Sequence, residues 1–241
     1  NFSWYENLDG LGTYGANQNI VTTPYWSRDI FTADLDNDGD LDIITIGYQA
    51  NGINWYENLD GLGTFGPIQP IIANEYGTVS VFAADIDNDG DMDVLSASYH
   101  SEHVAWYRND GLGNFGAQQI ISTSNDFKDV YAADLDNDGD IDVLSASSNN
   151  NQITWYKNDG LGNFGVEQII TSSLINANKV FAVDMDMDGD LDVLSGSTET
   201  GVNIGNNQIT WYENTDGLGT FASPQDIPLT SGFNLRDIFP A

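Results

Sequence analysis

Five aspartates stand at alternate positions in "DLDNDGDLDI": Asp34, Asp36, Asp38, Asp40 and Asp42. Carboxylates are hard oxygen donors, and several converging in one tight loop make a site for a divalent cation. Left alone, the same charges repel one another and oppose folding. The pattern returns as Asp85, Asp87, Asp89, Asp91 and Asp93, then as Asp134, Asp136, Asp138, Asp140 and Asp142. A fourth copy supplies Asp184, Asp186, Asp188, Asp190 and Asp192. Alternate residues of a tight loop point to one side, so positions one, three and five can meet on one ion. The glycine at position six (Gly39 in the first copy) permits the sharp turn. Position seven would offer its backbone carbonyl with its carboxylate outward, and position nine would close the shell.

Calcium fits this donor set best, because it takes six to eight oxygens at flexible geometry. Magnesium demands an octahedral shell and keeps more water, so it prefers fewer carboxylates. An EF-hand is excluded, since it needs a bidentate Glu at position twelve. Here that position is Thr45, Ser96, Ser145 and Ser195, and both flanks read as strand. The sequence therefore predicts four calcium sites, one in each complete repeat.

The elements that must position these loops repeat with them. The first aspartates fall at 34, 85, 134 and 184, intervals of 51, 49 and 50 residues. A second landmark, "WYEN" or a variant, begins at Trp4, Trp55, Trp106, Trp155 and Trp211. A period of about 50 residues suits a four-stranded propeller blade. One unit reads as strands over Val79–Asp85, Asp93–Tyr99, His103–Asn109 and Phe115–Thr123, rich in β-branched and aromatic residues. "DG" between the last two is a hairpin signal. Small residues fill the first two strands ("FAAD", "LSAS") while Trp and Tyr mark the third. That gradient suits blades crowding toward an axis. The expected fold is an all-β propeller with complete repeats at 28–77, 78–126, 127–175 and 176–234. Partial repeats occupy 1–27 and 235–241, where "LRDIFPA" (Leu235–Ala241) matches "SRDIFTA" (Ser27–Ala33). The expected ring is five-bladed as the chain stands or part of a seven-bladed one, and the chain is expected to be a fragment of a longer protein.

Composition narrows the function. The 241 residues carry 37 acidic and 6 basic side chains, a formal charge of −31. Such a field repels phosphate backbones and anionic membrane surfaces, which argues against nucleic acid as a partner. Twenty of the acids lie in the four loops, so the charge is concentrated where cations could sit. No cysteine is present, and no apolar run is long enough for a membrane span.

The acidic loops, the "WYENLDGLGTFG" stretch (Trp55–Gly66) and the order strand, loop, strand resemble the FG-GAP and VCBS-type repeats of integrin-α-like β-propellers. The resemblance implies calcium loops between the first and second strands of each blade, usually in a seven-bladed ring. It also implies an extracellular module for adhesion, lectin-like binding or accessory work in larger secreted proteins. Carried over by position, the ligands are positions one, three, five, seven (carbonyl) and nine of each loop. Unit length and blade number depart from the pattern.

Other candidates are few. His100 and His103 in "YHSEHVAWY" are the only histidines, and Trp26 stands outside the repeat. These three are the candidate ligand contacts, with the irregular loop Thr198–Asn207 beside them. The Trp-Tyr pairs read as core between blades. No cysteine nucleophile, G-x-S-x-G elbow or phosphate-binding glycine loop is found. The expected function is non-catalytic recognition of a glycan or an extracellular protein. The alternatives are an accessory propeller of a secreted polysaccharide-degrading enzyme and a polysaccharide lyase using His100 or a tyrosine.

Overall fold

Short runs of β-branched and aromatic residues, bounded by Gly, Asn and Asp, fold as strands in the computed structural model. It describes residues 2–21, 27–47, 52–124, 126–197 and 208–228, which contain 18 strands and no helix. Trp26, the Thr198–Asn207 loop and the segment Leu235–Ala241 lie outside the described residues. Strands β1 (Phe2–Trp4) and β2 (Gln18–Val21) pair as a two-stranded sheet. Blade 1 is β3 (Ser27–Ala33), β4 (Asp42–Gly47), β5 (Gly52–Tyr56) and β6 (Gln69–Ala73). Blade 2 is β7 (Thr78–Ala84), β8 (Asp93–Ser98), β9 (His103–Tyr107) and β10 (Gln119–Thr123). Blade 3 comprises β11 (Phe127–Ala133), β12 (Asp142–Ser147), β13 (Gln152–Tyr156) and β14 (Gln168–Thr171). Blade 4 comprises β15 (Ala177–Val183), β16 (Asp192–Ser197), β17 (Gln208–Tyr212) and β18 (Gln225–Ile227). Each blade is an antiparallel meander with strands in chain order. The acidic loop therefore joins the first strand to the second at one end of the sheet. The connection from second to third strand lies at the other end.

Apolar cores form between blades rather than within them. Ile44 and Trp55 of blade 1 pack with Val81 and Tyr107 of blade 2. Leu95 and Trp106 meet Val130 and Tyr156, and Leu144 and Trp155 meet Val180 and Tyr212. Four of the landmark tryptophans also lie over a glycine in the hairpin turn of the blade that follows. Trp4 faces Gly63, Trp55 faces Gly113, Trp106 faces Gly162 and Trp155 faces Gly219, where a Cβ would enter the indole. Trp55, Trp106 and Trp155 are buried, whereas Trp4 and Trp211 are half-buried.

Two local details differ from the sequence reading. The fourth strand of blade 2 starts at Gln119 rather than Phe115, because Phe115 only closes the hairpin opposite Asn109. Gln118 then turns inward to donate hydrogen bonds to Glu75 and Tyr107. The size gradient is also incomplete. Each first strand carries an aromatic residue, and Phe31, Phe82, Tyr131 and Phe181 form a ladder with centroids 4.6, 4.7 and 5.3 Å apart. Side chains alternate across a strand, so Ala83 or Ala132 can pack closely while its neighbour reaches the next blade.

Candidate metal centres

The four acidic loops share one geometry. Positions one, three and nine bring carboxylate oxygens within 4.8 Å of one another: Asp34, Asp36 and Asp42; Asp85, Asp87 and Asp93; Asp134, Asp136 and Asp142; Asp184, Asp186 and Asp192. Two ligands each about 2.4 Å from a calcium ion stand at most about 4.8 Å apart, so each triad could hold one metal ion. Asp34 Oδ1, Asp36 Oδ1, Asp87 Oδ1 and Asp136 Oδ1 are buried without a hydrogen-bond partner. Buried acceptors are ordinarily paired. Unpartnered oxygens within the triads fit a cation that supplies the missing interaction.

Each loop is shaped by its own aspartates. Position one accepts the glycine N–H, as in Gly39 to Asp34 Oδ2 at 3.0 Å and Gly90 to Asp85 Oδ2 at 3.0 Å. Position five turns one oxygen toward the loop, accepting the N–H of position seven at 2.9–3.0 Å in Asp38, Asp89, Asp138 and Asp188. Position nine is the staple. Asp42, Asp93, Asp142 and Asp192 accept the N–H of Leu35, Ile86, Leu135 and Met185 at 3.0, 3.1, 3.2 and 3.1 Å. Their other oxygens accept the N–H of Asn58, Asn109, Asn158 and Asn214, each at 2.8 Å.

Burial pushes Asp42, Asp93 and Asp142 up to about 6, 7 and 6, against the hydrogen bonds that favour their charged forms. Asp36, Asp87 and Asp186 are also raised, first by burial and then by the position-five carboxylates. A bound cation opposes both causes, since opposite charge favours the ionised form.

Position seven faces away from the triads. Asp91, Asp140 and Asp190 accept from the amides of Asn37, Asn88 and Asn137 in the preceding blade's loop, at 2.6, 2.7 and 3.0 Å. Asp40 lies against Gly61 of its own blade's hairpin turn. A second link joins blades from the Asn of the "WYEN" landmark. Asn109, Asn158 and Asn214 donate to the carbonyls of Leu35, Ile86 and Leu135 at 2.7, 2.7 and 2.8 Å. These asparagines were not singled out as candidates from the sequence. Their recurrence at one place in every landmark was the available signal.

The histidines part company. His103 is buried at the start of β9, with Nε2 3.0 Å from Glu75 Oε1 and Nδ1 3.1 Å from the carbonyl oxygen of Ser101. Ser98 also donates to Glu75, at 2.8 Å. Glu75 and Gln118 lie 28 or fewer positions from His103 but in other elements, so no local pattern announces the cluster. His100 is at the sheet end opposite the acidic loops. It stacks on Tyr76 at 4.8 Å and meets Tyr99 edge-on at 4.5 Å. Lys128 Nζ lies 3.6 Å from the centre of the Tyr99 ring.

Successive antiparallel four-stranded blades with an acidic loop after each first strand define a β-propeller of the repeat class. The chain belongs to the FG-GAP-like repeat family, whose model matches residues 34–96, 85–145 and 134–195. Among solved structures, it is similar to an Agrocybe aegerita lectin described for specific recognition of non-reducing terminal N-acetylglucosamine. The TM-score is 0.65 at 22% identity, covering 93% of this chain and 59% of the lectin. It is also similar to BBS1N in complex with ARL6DN, with TM-score 0.57, 10% identity, and coverage of 86% and 57%. An exo-β-1,3-galactanase from Phanerochaete chrysosporium gives TM-score 0.52 at 11% identity, with coverage of 81% and 49%. The chain thus spans less than two thirds of each, and at these identities the likeness is one of fold. Comparison with curated proteins finds no match.

Proposed function

We propose that this chain is a calcium-stabilised extracellular recognition module that binds a glycan, without catalysing a reaction. The carrying observation is the recurrence of aspartate triads with ligand oxygens within 4.8 Å, including buried carboxylate oxygens that lack a partner. Extracellular modules bind calcium with Kd of about 10⁻⁴–10⁻³ M, which matches sites built on exposed loops. With calcium about tenfold above Kd, each site adds about 1.4 kcal/mol, and four add about 6. That is comparable to the whole stability of a domain, about 5–15 kcal/mol. Calcium would then act where an exported protein without cysteine has no disulfide.

The recognition surface in this reading is the sheet end opposite the metal loops. Tyr76 is 49% exposed and Tyr99 36% exposed, and both rings group with His100. Aromatic faces beside polar groups are suited to sugar rings, and the similarity in fold to a lectin supports the glycan reading.

Thermal melts with calcium and with EGTA test the metal. A large fall in Tm on chelation is expected, and an unchanged melt would sink the assignment. A glycan array run under both conditions tests the ligand. Binding to one sugar class, weakened by Tyr76→Ala and by His100→Ala, is expected. Turnover of a polysaccharide by the pure chain would replace the non-catalytic reading with the enzymatic one.

A further inference from the structure

The four loops differ at one neighbouring residue. The position after the "WY" pair is Glu57 in blade 1, Arg108 in blade 2, Lys157 in blade 3 and Glu213 in blade 4. The register is the same in each: Tyr56, Tyr107, Tyr156 and Tyr212 pair with Ile43, Val94, Val143 and Val193. The next residue therefore leaves the third strand beside the acidic loop. Arg108 places Nε 2.8 Å from Asp87 Oδ2 and Nη2 2.8 Å from Asp89 Oδ2. Lys157 contacts Asp136 Oδ2 and lies 3.0 Å from Asp138 Oδ2. Two of the chain's six basic residues are thus spent on positions three and five of the middle loops. Among the described residues, no ion pair is made to the loops of blades 1 and 4.

We propose that the four metal sites form two classes: tighter calcium sites in blades 1 and 4, and weaker ones in blades 2 and 3 whose loops Arg108 and Lys157 hold together when calcium is scarce. This rests on the calcium reading above. Affinity in an oxygen-ligand site follows the count of ligand charges. A guanidinium or ammonium on the ligand carboxylates subtracts from that count, whereas Glu57 and Glu213 bring no positive charge to the same register position. The basic side chain weakens the site without filling it. Arg108 takes Asp87 Oδ2 while Asp87 Oδ1 stays buried and unpartnered, and Asp136 Oδ1 is in the same state beside Lys157. Both cations are partly exposed, at 54% and 44%, so water screens part of the effect. The same contacts relieve crowding of like charge in the metal-free loops of blades 2 and 3. Among the described residues no basic side chain gives the loops of blades 1 and 4 such relief, and in this proposal those loops carry the response to calcium.

Calorimetric titration of the chelator-treated full chain with calcium should resolve two classes of two sites, with Kd values about tenfold apart. Hydrogen exchange in EGTA should show loops 34–42 and 184–192 losing protection while loops 85–93 and 134–142 keep it. Arg108→Glu, purified in calcium, should move one weak site into the tight class, and Glu57→Arg should move one tight site the other way. Arg108→Gln removes the charge without adding a carboxylate and should give an intermediate Kd if the larger change impairs folding. Four equivalent sites, or a blade-2 site indifferent to both Arg108 variants, overturn the two-class proposal while leaving calcium binding intact. No calcium binding at any site overturns the calcium reading and the proposal with it.

Discussion

Asp93 shows how much one carboxylate does here. It accepts the N–H of Ile86 and of Asn109 while an oxygen stays within reach of Asp85 and Asp87. The backbone hydrogen bonds keep the loop closed, and the triad takes its charge from the same side chain. Glu75 and His103 are the other residue-scale feature. Burial alone would raise Glu75, but the hydrogen bonds from His103 and Ser98 bring it below its ordinary 4.5. The hydrogen bond to Glu75 raises His103 above its ordinary 6.5, against burial. A raised histidine contributes stability in full below 6.5 and loses it as pH rises through its folded value. A lowered glutamate contributes above 4.5 and loses it as pH falls through its folded value. His103→Gln should therefore cost about 2 kcal/mol, most of it between pH 4.5 and 6.5. Melts of both proteins from pH 4.5 to 8 check this, and a gap that widens from pH 6.5 to 8 contradicts it.

Among the elements, the acidic loop shows a departure the repeat makes visible. Position four takes left-handed backbone in every copy, with φ of 58°, 56°, 56° and 65° at Asn37, Asn88, Asn137 and Met187. Asparagine tolerates that region because its short amide can bond locally, whereas an unbranched apolar side chain gains nothing there. Met187 is 89% exposed, so it contributes no packing in exchange. Met187→Asn should stabilise the protein by about 0.5–1 kcal/mol, read as a higher denaturant midpoint at unchanged m-value. The strands themselves were legible as alternating runs between turn residues. The start of the fourth strand was not, because Gln118 is drawn inward to donate to Glu75 and Tyr107. Those groups belong to the preceding connection and the third strand, and only the folded sheet brings them to it.

For the whole molecule, cohesion depends on what passes between blades. Cores straddle neighbouring sheets, amides of one loop reach carboxylates of the next, and tryptophans lie over the neighbour's hairpin glycines. Gly162 has φ of 74°, and a Cβ there would enter the ring of Trp106. Gly162→Ala should cost about 2–4 kcal/mol through strain and displacement of that indole, with a change in tryptophan fluorescence. Gly165 has no positive φ, and its Cβ would meet only Lys157 O at 3.6 Å. Gly165→Ala in the same hairpin should stay within about 0.5 kcal/mol of the parent. Equal losses in the two variants would place the effect in the turn rather than between blades.

The sequence by itself determined the repeat, the strand order and the composition of the acidic loops. Those features are written along the chain: an alternating strand and an aspartate at every second position lie in neighbouring residues, and the period of about 50 residues is their recurrence. It also marked both histidines without separating them. Only the tertiary structure buried His103 against Glu75 and left His100 among exposed tyrosines. It alone set Arg108 and Lys157 on two acidic loops and joined Asn37 to Asp91, 54 positions away. Those partners come from other strands or other blades, and charge and hydrogen bonding act through distances that exist only once the sheets have packed.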